Sequence, residues 1–507
     1  MSLRTDSLIP AAPPFGRLLV ANRGEIAIRV IRACRELGIS PIAVHSDADV
    51  DALHVRAADR SERIGPAPAG ESYLSIDAIV DAARRTGVDA IHPGYGFLSE
   101  NAAFAHAVED AGMVFVGPPP SALEALGNKL AARRSAAAAG VPIVPGTTVA
   151  LEDDTSAVEE VGLPVMLKAA AGGGGRGMRR VDRLEELAEA MAAARREAAA
   201  AFGDGEIYVE RLIRPARHVE VQLLGDRHRG LAVLGERDCS IQRRHQKLVE
   251  ESPSPAIDEA LRGALFESAR RVAGTVDFHN AATVEFLVDS DANHYFLEMN
   301  TRLQVEHGVT ELVTGLDLVA WQIRVAAGER LPGELIHAPR IGHAIEVRIY
   351  AEDPYDGFRP TSGRITAWHM PEGPGVRVDS GMEADTDLRT EYDPLLAKVM
   401  VHAENRPAAV MRLRRALDET LIGGLQTDAG FLRWLVDEPA FGRGDYDTGF
   451  IEDVWGTGPE VSRDERELAA AAAVAARASS GLGSASSARR APGSAWGQIA
   501  RRENLRR

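Results

Sequence analysis

The chain has 507 residues, 45% of them hydrophobic and 26% charged, with a formal net charge of −16, and that length supports about three domains around a sizeable core. The acidic balance excludes broad nucleic-acid binding, which needs a basic face to neutralise phosphates. No apolar run nears the roughly 18 residues of a membrane span, and two cysteines, Cys34 and Cys239, cannot build a disulfide framework, so a reducing cytoplasm is expected.

In chain order, the start carries no basic stretch followed by an apolar one, and no signal peptide is expected. "RLLVANRGEIAIRVIRACRELGISPIAVHS" predicts strand, tight turn, helix, strand, with Ile26, Val30, Ala33 and Leu37 on one helical face and Gly38 as the stop. "SIDAIVDAARRTGVDAIHPGYGFLSEN" and "AFAHAVEDAGMVFVGP" continue the alternation, which predicts an open parallel α/β sheet over 15–128. From 129 to 335 a small α/β unit (about 143–218) leads into strand-like runs, and 336–455 mixes strands with a helix near "PAAVMRLRRALDETL". The last part, 456–507, reads as a helix followed by a flexible basic tail. The expected class is α/β and α+β, multidomain.

Only four of the 58 basic residues are lysines: Lys129, Lys168, Lys247 and Lys398. Where arginine serves as the general cation, a retained lysine marks a place that calls for the compact ammonium. Lys168 ends the strand of "LPVMLKAAAGGGGRGMRRV". The glycines that follow formally satisfy GxGxxG, but "MRRV" predicts a strand where the dinucleotide fingerprint needs a helix. The expectation is a β-hairpin whose bare backbone N–H groups fold over phosphates, with Lys168 reaching them as a point charge.

"ATVEFLVDSDANHYFLEMNTRLQVEH" predicts two strands about the turn "DSDAN", which sets Glu285 opposite Glu298 and Asn300 on the same face. Facing carboxylates are tolerable around a cation, and two carboxylates with an amide oxygen suit Mg²⁺ bridging nucleotide phosphates. If the chain stays extended, Glu298, Asn300, Arg302, Gln304 and Glu306 line one face. "ERDCSIQRRHQKLVEE" gathers Arg237, Arg243, Arg244, His245 and Lys247 into a candidate anion site, with Cys239 a structural thiol.

Together with "NRGEIAIRVIRAC", "HPGYGFLSEN" and "GHAIEVRIYAEDP", these motifs resemble biotin carboxylase from about residue 15 to residue 455. The match is closest to carboxylase subunits of acyl-CoA carboxylases. The resemblance implies an ATP-grasp fold with a Rossmann-like N-terminal sheet and a mixed C-terminal domain. It implies carboxylation of biotin from ATP and bicarbonate through carboxyphosphate. Lys129, Lys168, Gly174, Gly175, Glu210, Arg211, Ile213, His218, Gln242 and His245 match positions that hold ATP. Glu285, Glu298 and Asn300 match those that hold two Mg²⁺ or Mn²⁺ ions, and Lys247, Arg302, Gln304 and Val305 those that hold bicarbonate. Glu306 matches the base, Arg348 the arginine beside the biotin enolate, and Tyr95 a residue near the biotin pocket.

The sequence departs from the family pattern at Ala171, Arg211, Gly308 and Glu391, none of them essential to the chemistry. No Ala-Met-Lys-Met biotinylation motif occurs, so the biotin carboxyl carrier protein and the carboxyltransferase subunit are expected on separate chains, around a homodimer. Lys398 lacks that context and reads as a structural or site-supporting lysine. Another ATP-grasp ligase and a non-catalytic ATP-binding subunit are the competing readings. The basic segment 480–507 is a candidate docking tail, set against a tail of no function.

Overall fold

Alternating apolar runs near the start fold into the expected parallel sheet. Its strands are β1 (Arg17–Val20), β2 (Ser40–Ser46), β3 (Arg60–Gly65), β4 (Ala90–His92) and β5 (Val114–Phe115), in the order β3-β2-β1-β4-β5. This is a computed structural model that describes residues 13–147, 156–170, 178–244, 246–336 and 338–456. The helix Gly24–Glu36 buries Ile26, Val30 and Ala33, and Gly38 (φ +73°) takes the left-handed conformation that ends it.

A three-stranded antiparallel sheet, β7-β6-β8, follows from β6 (Val165–Ala169), β7 (Arg179–Val181) and β8 (Ile207–Arg211). The antiparallel β6–β7 pairing agrees with a hairpin around the glycine run, although 171–177 lie outside the described residues.

The largest sheet has eight antiparallel strands. They are β9 (Ala216–Gly225), β10 (Leu231–Arg243), β11 (Gln246–Ser252), β12 (Asn280–Asp289), β13 (His294–Asn300), β14 (His343–Tyr350), and the strands Leu395–Ala403 and Val376–Ser380. The order is β13-β12-β9-β10-β11-β14, then Leu395–Ala403 and Val376–Ser380, so the sheet runs without a break from the middle of the chain into its C-terminal part. On β9 the apolar Val219, Val221 and Leu223 pack toward the helix Glu259–Ala273, while His218, Glu220 and Gln222 alternate with them and are equally buried. On β14, Ile345, Val347 and Ile349 pack toward the helix Arg406–Glu419, which leaves Glu346 and Arg348 for the other face. No described helix is long and apolar enough to cross a membrane.

Two buried histidines in the N-terminal part give the fold a pH dependence. Burial pushes His54 down to about 4 and His92 down to about 3. Both are therefore neutral in the native state, and protonation at acid pH favours the unfolded chain. Their stabilising contribution is complete above the ordinary histidine range and is lost as pH falls. Urea midpoints should drop between about pH 7 and about pH 5 by an amount equivalent to about 2 kcal/mol for each histidine. The buried acids Glu250 and Glu346 oppose this trend, so the test is the difference between the wild type and His54→Gln or His92→Gln; a pH-dependent drop no smaller in those variants would contradict the burial of these neutral rings.

Candidate active site

The β12–β13 hairpin forms as the sequence predicts. Asp289 Oδ1 accepts from the backbone N–H groups of Asp291 (3.0 Å) and Asn293 (2.9 Å), closing the turn, and Phe286 and Phe296 are fully buried beneath it. The register pairs Glu285 with Glu298 and Thr283 with Asn300, and a register shift beyond Glu285 separates these pairs from Phe286–Phe296. Facing carboxylates are unfavourable unless cations offset them. Lys129 Nζ lies 2.6 Å from Glu298 Oε2, and Lys247 Nζ lies 2.9 Å from Glu285 Oε1. His218 Nε2 is 2.8 Å from Glu285 Oε2, and Asn300 Nδ2 donates to Glu285 Oε1 at 2.9 Å. Burial opposes ionisation of both acids, yet Lys247 and His218 hold Glu285 well below the ordinary range, and Lys129 holds Glu298 below it. Two ionised carboxylates form a hard donor set of the kind that binds Mg²⁺ or Mn²⁺, and the Asn300 amide oxygen, which accepts from Arg302 Nη2 at 3.2 Å, lies next to them in the cleft lining.

The hairpin opens into a cleft of about 1200 Å³. Lys129, Lys168, Glu210, Arg211, Ile213, His218 and Gln242 line it on one side, and Lys247, Glu285, Glu298, Asn300, Arg302, Gln304, Val305, Glu306, Arg348 and Tyr95 complete it. All candidate residues except Gly174, Gly175 and His245 are therefore brought together; those three lie outside the described residues, as do 171–177 and 480–507.

The extended stretch expected after Glu298 is shorter than its polar alternation implies. β13 ends at Asn300, and a helix begins at His307. The turn between them is built from side chains. Glu100 accepts from the backbone N–H of Thr301 (3.1 Å) and from Arg302 Nε (2.8 Å). Arg302 Nη1 donates to Gln304 Oε1 (2.8 Å), and Gln304 Nε2 to Glu285 Oε1 (3.0 Å). Lys398 Nζ donates to the carbonyl of Val305 at 2.8 Å, so this lysine supports the site from below. The polar residues still face the cleft, held there by this network. At Gly308 an added Cβ would meet Met400 Sδ at 2.2 Å, so the space is already filled by that thioether.

Glu306 is fully buried with both oxygens held: Oε1 by Lys247 Nζ (2.7 Å) and Oε2 by Arg348 Nη2 (2.9 Å). Burial favours the acid form, but Lys247, Arg348 and Arg237 outweigh it and keep the carboxyl well below its usual range. Lys168 Nζ lies 2.5 Å from Glu210 Oε2, whose other oxygen takes Arg133 Nη1 at 2.6 Å.

The basic cluster divides. Lys247, Gln242 and Arg244 line the cleft. Arg237 is instead fully buried, with Nε on Glu220 (2.5 Å) and further bonds to Gln222, Thr283 and Thr310. Arg243 pairs with Glu352 at 3.0 Å and stacks on Phe358. These two arginines are structural and do not form an anion site. Cys239 is buried, and burial raises its thiol well above the ordinary range, as befits a structural thiol. Arg211 turns its guanidinium to the carbonyl of Val161 (2.8 Å).

Sequence reasoning missed Glu220, which bonds Lys247 Nζ at 2.6 Å, Arg133 behind Glu210, and Glu25, which bonds the Tyr95 hydroxyl and lies 3.1 Å from Lys398 Nζ. The signal for Glu220 is present: "HVEVQ" alternates polar and apolar residues inside a strand that has no exposed face.

Comparisons with known proteins follow the same outline. Residues 14–123 match the biotin carboxylase N-terminal domain family, 128–334 the carbamoyl-phosphate synthase L chain ATP binding domain family, and 346–453 the biotin carboxylase C-terminal domain family. A biotin carboxylase of Halalkalibacterium halodurans is 50% identical over 440 residues, 86% of this chain and 97% of that protein. A propionyl-CoA carboxylase alpha chain of Ruegeria pomeroyi is 47% identical over 486 residues, 91% of this chain and 71% of that one. Among solved structures, the biotin carboxylase domain dimer of Hydrogenobacter thermophilus 2-oxoglutarate carboxylase, in complex with MgADP, ADP and bicarbonate, has a TM-score of 0.84 at 43% identity. That match covers 87% of this chain and 97% of the other.

Proposed function

The chain belongs to the biotin carboxylase family, ATP-grasp ligases that carry out the ATP-dependent carboxylation of biotin, and from that membership we propose how its own residues perform the reaction. Glu306 is the base. It takes the proton of bicarbonate, whose freed oxygen bonds to the γ-phosphorus of ATP as the bond to ADP breaks. The resulting carboxyphosphate releases CO₂ and phosphate beside biotin; the phosphate takes the ureido N–H proton and the freed nitrogen bonds to CO₂. Arg302, Gln304, Val305 and Lys247 hold bicarbonate within reach of Glu306, and Arg348 steadies the negative charge that develops on the biotin ureido group.

Lys129, Lys168, Glu210, Arg211, Ile213, His218 and Gln242, with Gly174, Gly175 and His245, hold the nucleotide. Glu285, Glu298 and Asn300 fit two divalent cations, Mg²⁺ or Mn²⁺, which supply neutralisation of phosphate charge when bound. The unit at about 143–218 is the lid of the ATP-grasp region 129–335, which lies in the chain between 15–128 and 336–455. Closure over the nucleotide keeps water from the reactive intermediate.

The biotin is that of a carrier protein, and a carboxyltransferase subunit uses the product within an acyl-CoA carboxylase of fatty acid metabolism. The similarity to the propionyl-CoA carboxylase alpha chain supports this setting, and the dimeric 2-oxoglutarate carboxylase domain supports a homodimer. The cytoplasm is the proposed location, and the segment 480–507 the proposed docking tail.

The observation that carries this reading is Glu306 gripped at both oxygens, by Lys247 on the nucleotide side and by Arg348 on the other. The test is ADP release by the purified chain with ATP, bicarbonate and Mg²⁺. Free biotin should stimulate it, and stimulation by an amine or amino acid instead would favour another ATP-grasp ligase. Arg348→Met should lower the biotin-stimulated rate by about 100-fold or more while biotin-independent ATP cleavage falls far less. Equal losses in the two rates would contradict the role given to Arg348.

A further inference from the structure

Two acids beneath the reacting end have no part in the chemistry above. Glu250 on β11 and Glu346 on β14 are direct cross-strand partners, and both are fully buried. Among the described residues, neither oxygen of Glu346 has a hydrogen-bond partner, and Glu250 is held only by its ion pair with Arg348. Arg348 Nη2 lies 2.5 Å from Glu250 Oε1 and also donates to Glu306 Oε2 at 2.9 Å, so one nitrogen sits between two acids.

The nearby cations are already engaged. Glu250 faces Arg348, Glu306 and Lys247, and Glu346 faces Lys398, Glu250, Arg348 and Glu306. Lys247 is held by Glu220, Glu285 and Glu306. Lys398 is held by the Val305 carbonyl and Glu25. Arg348 is thus the first cation that offsets Glu250 and is shared with Glu306, while Glu346 is offset first by the already engaged Lys398. On the far side, the helix His307–Thr314 closes over the pair at Gly308, where an added Cβ would stand 3.4 Å from Glu346 Oε2. Facing carboxylates in a low-dielectric site do not both ionise; one keeps a proton. Burial accordingly lifts Glu250 up to about 7 and Glu346 well above the ordinary carboxylate range.

We propose that Glu250 and Glu346 share one proton, and that Glu250 is a positioning residue for the carboxylation step, holding Arg348 from behind so that it stays against Glu306. The positioning half rests on the reading of Arg348 as the biotin-side arginine. With one proton in the pair, a single charge stands behind Arg348, and the guanidinium is shared between Glu250 and Glu306. Loss of that proton in alkali places a second buried charge there and draws Arg348 away from the substrate side.

Infrared spectroscopy of the full chain labelled with ¹³C-glutamate tests the shared proton without turnover. At neutral pH the wild type should show the carbonyl band of a protonated, buried glutamic acid. The label separates it from Asp428, which burial also keeps protonated. The band should disappear in alkali and be absent from Glu346→Gln; no difference band between the two proteins overturns the proposal. For the positioning half, Glu250→Gln should reduce free-biotin carboxylation by about 10- to 100-fold more than biotin-independent ATP cleavage, with KM for ATP unmoved. Glu250→Asp should recover part of the loss. Equal reduction of both rates means a merely structural acid and overturns that half. A wild-type chain that ignores biotin overturns the functional reading alone, because the infrared band still decides the proton.

Discussion

Glu306→Gln should lower bicarbonate-dependent ATP turnover by about two to four orders of magnitude, the usual contribution of a positioned general base. The side chain it replaces is unusual for a buried acid. Burial alone would leave it protonated and useless as a base, but Lys247 and Arg348 each grip one oxygen, and together with Arg237 they keep it ionised. Glutamine retains the shape and loses the proton-accepting capacity. Its amide nitrogen must also face either Lys247 or Arg348, donor against donor. The nucleotide side is left intact, because Lys129 pairs with Glu298 and Lys168 with Glu210, away from any bond to Glu306. Calorimetric ATP affinity should therefore stay within a few-fold while kcat collapses, which separates loss of chemistry from loss of binding. Turnover retained within about ten-fold would remove Glu306 as the base, whereas a wild-type chain that binds ATP without bicarbonate-dependent turnover would favour a non-catalytic ATP-binding subunit.

The parts of this site that were legible in the sequence are local ones. The turn "DSDAN" fixes the hairpin register, and the register brings Glu285 opposite Glu298. Scarcity of lysine carried more information than any single motif: Lys129, Lys168 and Lys247 line the cleft and Lys398 lies directly beneath it. A chain that uses arginine everywhere else keeps the ammonium where a compact donor must reach several oxygens at once. What stayed hidden depends on strand order. Glu220, Glu250 and Glu346 each sit in an ordinary-looking alternation, "HVEVQ", "LVEES" and "AIEVR". They meet Lys247 and Arg348 only because β9, β10, β11 and β14 lie side by side, with β14 arriving after the intervening residues 253–342. The helix start at His307 was hidden for a different reason. Its N-cap is Glu306, whose carboxylate is turned to Lys247 and Arg348 and makes no capping bond, so no Ser, Thr, Asp or Asn announces the helix.

Arg237→Met should produce the largest loss of stability among single changes around the site, about 3–5 kcal/mol. Arg237 is fully buried and directs three of its nitrogens at four partners: Glu220, Gln222, Thr283 and Thr310. Methionine fills much of the volume, so the cost lies in the acid left behind. Burial already pushes Glu220 upward, and Arg237 is the first cation that offsets it, ahead of Lys247. Without that arginine, Glu220 must either stay charged in a low-dielectric interior or take up a proton and weaken its 2.6 Å bond to Lys247. Either course also disturbs activity, because the same Lys247 nitrogen holds Glu285 and Glu306. Urea denaturation followed by circular dichroism should show the fall in midpoint. The double variant Arg237→Met/Glu220→Gln should recover a substantial part of it, since removing both charges together avoids the uncompensated acid. Stability recovered without activity would assign Glu220 the orientation of Lys247. No recovery at all would mean that the bonds to Gln222, Thr283 and Thr310, and not the charge pair, hold this part of the sheet together.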